Sequence, residues 1–197
     1  MKYTDKCSIC RRVGEKLFLK GEKCNLPSCP FLKRSYSPGE SGPRKRGKKS
    51  SDYLIQLIEK QKARAIYGVS ERQMTNYFVS ARRDRGRTGA KLFELLEKRL
   101  DNIVFRAKIA SSRKQARQLV THGGIKINGK TVDIPSYQTG IDDKISASKP
   151  SDKKISQKDL PSWLKLTAES GVEVIGQPEK DSFSQFNEQL IIEYYSR

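Results

Sequence analysis

Apolar positions along this chain follow two periods, and the change from one to the other divides it. Behind Ser51 or Asp52, either of which can cap a helix, Leu54, Leu57, Ile58 and Ile66 form one apolar stripe. Ser70-x-x-Gln73 is a capping box, leading into Met74, Tyr77, Phe78 and Ala81 at helical spacing. Gly86 and Gly89 stop that helix. A single helix is predicted over about residues 91–107, with Leu92, Leu95, Leu96, Leu100, Ile103 and Val104 along one side. Ser112-x-x-Gln115 opens a short helix through Leu119 and Val120 that ends at His122-Gly123-Gly124.

There the period changes to two. Ile125-Lys126-Ile127 alternates, Asn128-Gly129 is the favoured two-residue hairpin turn, and residues 130–134 return to Pro135. A further strand is predicted around Lys144-Ile145-Ser146, followed by a polar linker over 146–160. Trp163, Leu164 and Leu166 form an apolar cluster and Val172–Ile175 reads as a strand. Asn187 caps a last helix with Leu190, Ile191, Tyr194 and Tyr195 on its inner side. The fold class is α+β. Residues 1–50 form a cysteine knuckle and basic arm, 51–90 a helical domain completed by 160–197, and 91–159 an inserted compact helix-and-hairpin module.

Charge changes the picture from fold to partner. The 197 residues carry a net charge of +18, with +20 in residues 1–150 and −2 in the last 47. Self-repulsion of that size is relieved by a polyanion, and nucleic acid is the natural one. An anionic membrane surface would call for a basic amphipathic anchor or a lipidation signal, and neither is found. No apolar run approaches the ~20 residues that span a bilayer. Met1-Lys2-Tyr3-Thr4-Asp5 opens without an apolar stretch, so a cytoplasmic protein is expected. The single histidine, His122, argues against chemistry that relies on several imidazoles, and no small-molecule substrate is expected.

All four cysteines fall early, as Cys7, Cys10, Cys24 and Cys29 in the spacing C-x2-C-x13-C-x4-C. Two residues between ligands let a tight turn aim both sulfurs at one point, and the longer loop returns the second pair. Four thiolates suit one structural Zn(2+), with an iron–sulfur cluster or an empty site as alternatives. Two disulfides conflict with the reducing cytoplasm. Beyond the knuckle, Arg44, Lys45, Arg46, Lys48 and Lys49 place five cations in six positions of a Ser/Gly/Pro-rich stretch, a phosphate-binding arm. Arg82, Arg83, Arg85 and Arg87 exceed what a helix C-terminus needs to offset its dipole, so they too point to phosphate. Arg113, Lys114 and Arg117 share a helix face beside Lys126 and Lys130 of the hairpin, a surface able to grip RNA by shape.

Taken together, KCSICRRVGEKLFLKGEKC, PGESGPRKRGKKSSDY, EKQKARAIYGVSERQ, LLEKRLDNIVFRAKIASSRKQARQLVTHGGIKINGKTVDIPSY and FNEQLIIEYYSR resemble the bacterial-type small-subunit ribosomal protein four family, in its zinc-binding form. The resemblance covers nearly the whole chain, in the family's order. It implies a primary rRNA-binding protein that nucleates subunit assembly at a multi-helix junction of the rRNA 5′ domain. It further implies a place near the channel through which mRNA enters, beside the neighbouring ribosomal proteins three and five, and an influence on decoding accuracy. The matching positions are Arg44, Lys45 and Arg46 in the arm, and Arg113, Lys114, Arg117, His122, Lys126 and Lys130 in the module; Lys60, Lys62 and Arg64 of the IYG segment join the RNA-binding set. Glu40-Ser41 stand where the family often has Gln-His, and Lys48-Lys49-Ser50 lengthens the arm.

Other classes fit these residues less well. Arg99-Leu100-Asp101 matches a catalytic triplet of pseudouridine synthases that carry the same module, but no separate catalytic domain remains. A free RNA chaperone could use the module alone; the knuckle and arm favour the ribosome. No phosphate-cradling glycine motif is present, and residues 11–23 offer little of the recognition helix that a zinc-finger DNA regulator needs.

Overall fold

Asp5 starts the first helix by accepting from the Cys7 N–H, and Gly14 ends it in the left-handed conformation at φ +83°. The computed structural model describes residues 5–40, 42, 51–84, 86–148, 157, 160–167, 171–178 and 186–197. Helix α1 (Lys6–Val13), a 3₁₀ turn (Gly21–Cys24) and the short α2 (Pro30–Lys33) make the knuckle. The arm residues Arg44, Lys45, Arg46, Lys48 and Lys49 lie outside the described residues.

Ser51 caps α3 (Asp52–Tyr67) through the Leu54 N–H, and Gly68 closes it at φ +64°. The predicted capping box of α4 (Glu71–Arg82) is formed in both directions, Ser70 Oγ accepting from Gln73 N–H and Gln73 Oε1 from Ser70 N–H, each at 3.2 Å. With α5 (Thr88–Glu97) and the C-terminal α8 (Glu188–Tyr195), these helices enclose a core of Ala63, Ile66, Tyr67, Met74, Leu92, Phe93, Leu96, Phe186 and Ile191. The α3 stripe is not the one predicted. Ile66 is buried, but Leu54 is 41% exposed, and Gln56, Lys60, Ala63 and Tyr67 take the inner positions instead.

The single helix expected over 91–107 is two. Arg99 is extended (φ −65°, ψ 136°), and α6 (Leu100–Arg106) starts on a new axis. The apolar residues on the two sides of the break serve different cores: Leu92 and Leu96 face the helical one, and Leu100, Ile103 and Val104 face the sheet. The break is held by backbone bonds from Leu100 N–H to Tyr137 O and Asp101 N–H to Pro135 O.

α6 and α7 (Arg113–Thr121) cover a five-stranded antiparallel sheet of order β2-β1-β3-β5-β4. Its strands are β1 (Ile125–Ile127), β2 (Lys130–Thr131), β3 (Lys144–Ala147), β4 (Leu164–Leu166) and β5 (Val172–Val174). Asn128 and Gly129 take φ +49° and +81°, as a turn with two left-handed residues requires. The return strand is shorter than predicted, and Ile134 is 55% exposed. Ile145 pairs with both Ile127 and Val172, which fixes the register so that alternate side chains enter the core.

Two boundaries therefore shift. α5 belongs to the helical core, so the module begins near residue 98 and not at 91. Trp163, Leu164, Val172 and Val174 belong to the sheet's core and not to the helical domain, which receives only Phe186 and α8 from the tail. Even the linker is partly anchored, since Gln157 bonds the backbone of Leu164 and Leu166 at 3.0 and 2.7 Å.

Candidate nucleic-acid interface

Helix α7 turns Ala116 and Val120 onto the sheet, and the same geometry leaves Lys114 and Arg117 exposed. His122, at its C-terminal cap, is exposed as well. In β1, Ile125 and Ile127 are buried, so Lys126 between them projects from the opposite, open face of the sheet. Lys130 is exposed beside the hairpin turn. Arg82, Arg83 and Arg87 are exposed between α4 and α5, while Arg85 lies outside the described residues. Helix cations and hairpin cations thus ring the module, but α7 and Lys126 lie on opposite sides of the sheet.

Four predicted RNA contacts are committed inside the protein. Lys60 is buried, 2.8 Å from Glu71 and 4.2 Å above the Tyr194 ring. Lys62 is buried between Glu15 at 2.7 Å and Glu59 at 3.4 Å. Arg64 pairs with Glu71 at 2.6 Å. Each lies where α3 meets carboxylates of the surrounding elements, and a charge withdrawn from water needs a partner. Arg113, read as part of the exposed α7 face, instead donates from Nε to Asn102 Oδ1 at 2.8 Å and stacks 4.4 Å above Phe105 and 5.0 Å above Tyr67. Burial lowers its proton affinity, an effect that the nearby Glu97 carboxylate opposes.

Arg113 belongs to a network centred on Glu97. Arg106 grips the Glu97 carboxylate with two bonds of 2.9 Å, Asn102 donates to it at 2.8 Å, and the Tyr67 hydroxyl donates at 2.5 Å. Burial pulls the Glu97 carboxyl upward, but Arg106, Arg113 and Tyr67 outweigh it and hold it below the ordinary carboxylate range. The network joins the last residue of α5 to α6, α7 and α3, and so fastens the two cores together.

The matches to known proteins follow this division. Residues 2–97 match the family described as ribosomal protein S4/S9 N-terminal domain, and residues 98–145 match the S4 domain. The chain is similar to the small ribosomal subunit protein uS4 of Clostridium beijerinckii, 46% identical over 97% of this chain and 96% of that protein. It is similar at 45% identity to uS4 of Thermus thermophilus, over 97% and 96%, and of Lawsonia intracellularis, over 100% and 99%. The chain belongs to the uS4 family. This is a family of structural ribosomal proteins, and the chain is not an enzyme.

Inside that uS4 frame, the Arg99-Leu100-Asp101 triplet has a structural use. Arg99 is fully buried and binds both Asp101 oxygens, at 3.0 and 2.6 Å, while its Nη1 donates to the Tyr77 hydroxyl at 2.8 Å. An aspartate clamped this way is no free nucleophile. The uS4 knuckle buries Cys7, Cys10, Cys24 and Cys29 as free thiols. Burial pushes the Cys10 thiol up despite a backbone bond with Leu17, and Lys20 N–H donates to Cys24 Sγ at 3.3 Å. The donor types suit a thiolate metal site, yet among the described residues no group of three or more such side chains is drawn together as a metal ion would hold it.

Lys144 and Lys165 were absent from the predicted set. Both flank Glu173 in the strand register and share the open sheet face with Lys126. The two-residue alternation around Ile145 carried that signal for Lys144, whereas Lys165 needed the knowledge that β4 joins this sheet.

Proposed function

We propose that the chain is a structural constituent of the small ribosomal subunit that binds rRNA chiefly through phosphates. The observation that carries this reading is the separation of its cations into two sets. Lys60, Lys62, Arg64, Arg99 and Arg106 are paired within the fold, while Lys114, Lys126, Lys130, Arg82, Arg83 and Arg87 stand exposed, with the His122 ring exposed among them, on a chain of net charge +18. Family membership supplies the RNA. In this reading the protein binds the multi-helix junction of the rRNA 5′ domain early in assembly, in the cytoplasm. It lies near the channel through which mRNA enters, and there contributes to decoding accuracy.

Ribosomal proteins three and five are the neighbours in this reading. A groove of about 200 Å³ between α3 and α8, lined by Asp52, Ile55, Gln56, Leu190, Glu193 and Arg197, suits a protein neighbour. Its buried Gln56 Oε1 has no hydrogen-bond partner, and Asp52 and Glu193 line it opposite the chain's own Arg197. Cys7, Cys10, Cys24 and Cys29 would hold one structural Zn(2+), supported by their common burial and by the cations Lys6, Lys20 and Lys23 around them. The metal would tie the ends of the knuckle together.

The test is the salt dependence of affinity for a transcript of the rRNA 5′ domain. Six or more phosphate contacts lower affinity by about 10³-fold or more between 50 and 200 mM salt. A flat response overturns the phosphate reading.

A further inference from the structure

The one Asn-Gly pair of the chain, Asn128-Gly129, forms the tip of the hairpin between β1 and β2, and both residues are exposed. This dipeptide carries a reaction of its own. The Gly129 backbone nitrogen attacks Asn128 Cγ, and the new N–C bond closes a succinimide ring. The Cγ–Nδ2 bond breaks, and ammonia leaves with the proton of the Gly129 N–H. Water then opens the ring at either carbonyl and leaves an aspartate or an isoaspartate at position 128. Glycine has no side chain to hinder the attack. A Cβ added to Gly129 would meet nothing within 4 Å, so no neighbouring element shields the turn from water.

The Asn128 side chain is instead held at both of its polar atoms. Its Oδ1 accepts from Lys144 N–H at 2.9 Å, and its Nδ2 donates to Asp143 Oδ1 at 2.9 Å. The Asn128 N–H donates to Lys144 O, also at 2.9 Å, so side chain and backbone are tied to the start of β3 together. Asp143 is fixed in its turn. Its Oδ2 accepts from Gly140 N–H at 2.7 Å, and its carbonyl accepts from Val174 N–H at 3.1 Å. Turning the carboxamide onto the Gly129 nitrogen breaks both side-chain bonds, one of them to a carboxylate. We propose that Asn128 is a deamidation site guarded by Asp143 and Lys144, which reacts only when this end of the sheet opens. The change is one-way. Where an amide donated to Asp143, either product places a carboxylate that repels it, so the clamp does not close again. Deamidation thus records the time a copy spends with its hairpin open, whatever the module binds.

The experiment ages the full chain in neutral buffer, with and without urea, and follows deamidation by mass spectrometry of the tryptic peptide 127–130. The folded wild type should react far more slowly than the same chain in urea. Asp143→Ala should react about tenfold faster than the wild type when folded, the worth of a lost charge-assisted bond, and at the wild-type rate in urea. Two further variants test the clamp by hydrogen exchange, without relying on the folding of Asp143→Ala. Asn128→Asp should lose protection of the Lys144 amide. The exchanged pair Asn128→Asp/Asp143→Asn, which restores the bond with donor and acceptor reversed, should regain it. Equal rates for the wild type with and without urea, or an unchanged folded rate in Asp143→Ala, would overturn the guard. Full Lys144 protection in Asn128→Asp alone would overturn the one-way change.

Discussion

Glu97 holds more of the fold than any exposed residue. Its carboxylate is 1% exposed and receives bonds from Arg106, Asn102 and Tyr67. Glu97→Gln removes the charge but keeps the shape, leaving Arg106 buried opposite a neutral group and Arg113 without the nearby anion. Breaking a buried pair in this way costs about 3–5 kcal/mol, measurable by urea unfolding. The same carboxylate sets an acid limit. Burial raises Glu97, Glu71 and Glu94, but their Arg and Lys partners prevail, and all three are held below the ordinary range when folded. The unfolded chain then takes up protons first, so their stabilisation is whole above roughly pH 4.3 and is lost as the pH falls through the folded values. Glu97→Gln should flatten that loss; an unchanged acid midpoint would place the sensitivity elsewhere. Arg113 teaches the related lesson. Spacing put it on a face with Lys114 and Arg117, and only the position of Phe105 and Tyr67 shows that its guanidinium is covered.

At the scale of elements, what was legible in the sequence is what local chemistry decides. Ser51, Ser70, Ser112 and Asn187 each cap the helix expected, and Asn128-Gly129 makes the hairpin turn. One detail departs: Gln115 Oε1 accepts from Ser111 N–H and not from Ser112, so that box is displaced by a residue. The break at Arg99 was not legible, because Leu92, Leu96, Leu100 and Ile103 keep helical spacing across it while facing two cores. Likewise β4 and β5 were legible as apolar segments but not as members of the module sheet, since strand pairing over long separations leaves no local mark. The knuckle provides the sharpest element-scale prediction. Cys24→Ser should lower zinc content and speed hydrogen exchange over residues 5–33 while β1 and β3 stay protected. An unchanged zinc content would refute a four-thiolate site.

At the scale of the whole molecule, the chain leaves the helical core after Glu97, builds the sheet, and comes back with Phe186 and α8. Ile191 is fully buried there, Phe186 packs edge-on against Tyr67, and Tyr195 stacks on Phe78 at 4.8 Å. Deleting residues 186–197 should leave residues 51–97 open to trypsin while the module resists. Equal resistance of both parts would show that α8 is dispensable. The excess charge is arranged on the same scale, with internal cations such as Lys60 and Arg64 sharing the Glu71 carboxylate and external cations left for a polyanion.

The late return of α8 has a consequence in time. As the polypeptide leaves the tunnel of the ribosome that makes it, the sheet proposed to carry the RNA surface is complete by Val174, but the helices around Ala63 and Leu92 wait for the final dozen residues. A nascent copy therefore passes through an interval in which the proposed nucleic-acid surface is finished and the helical interior is not. Early capture of a transcript during that interval would shelter the exposed apolar helices, and a copy cut short before Phe186 would carry the grip without the core that anchors it.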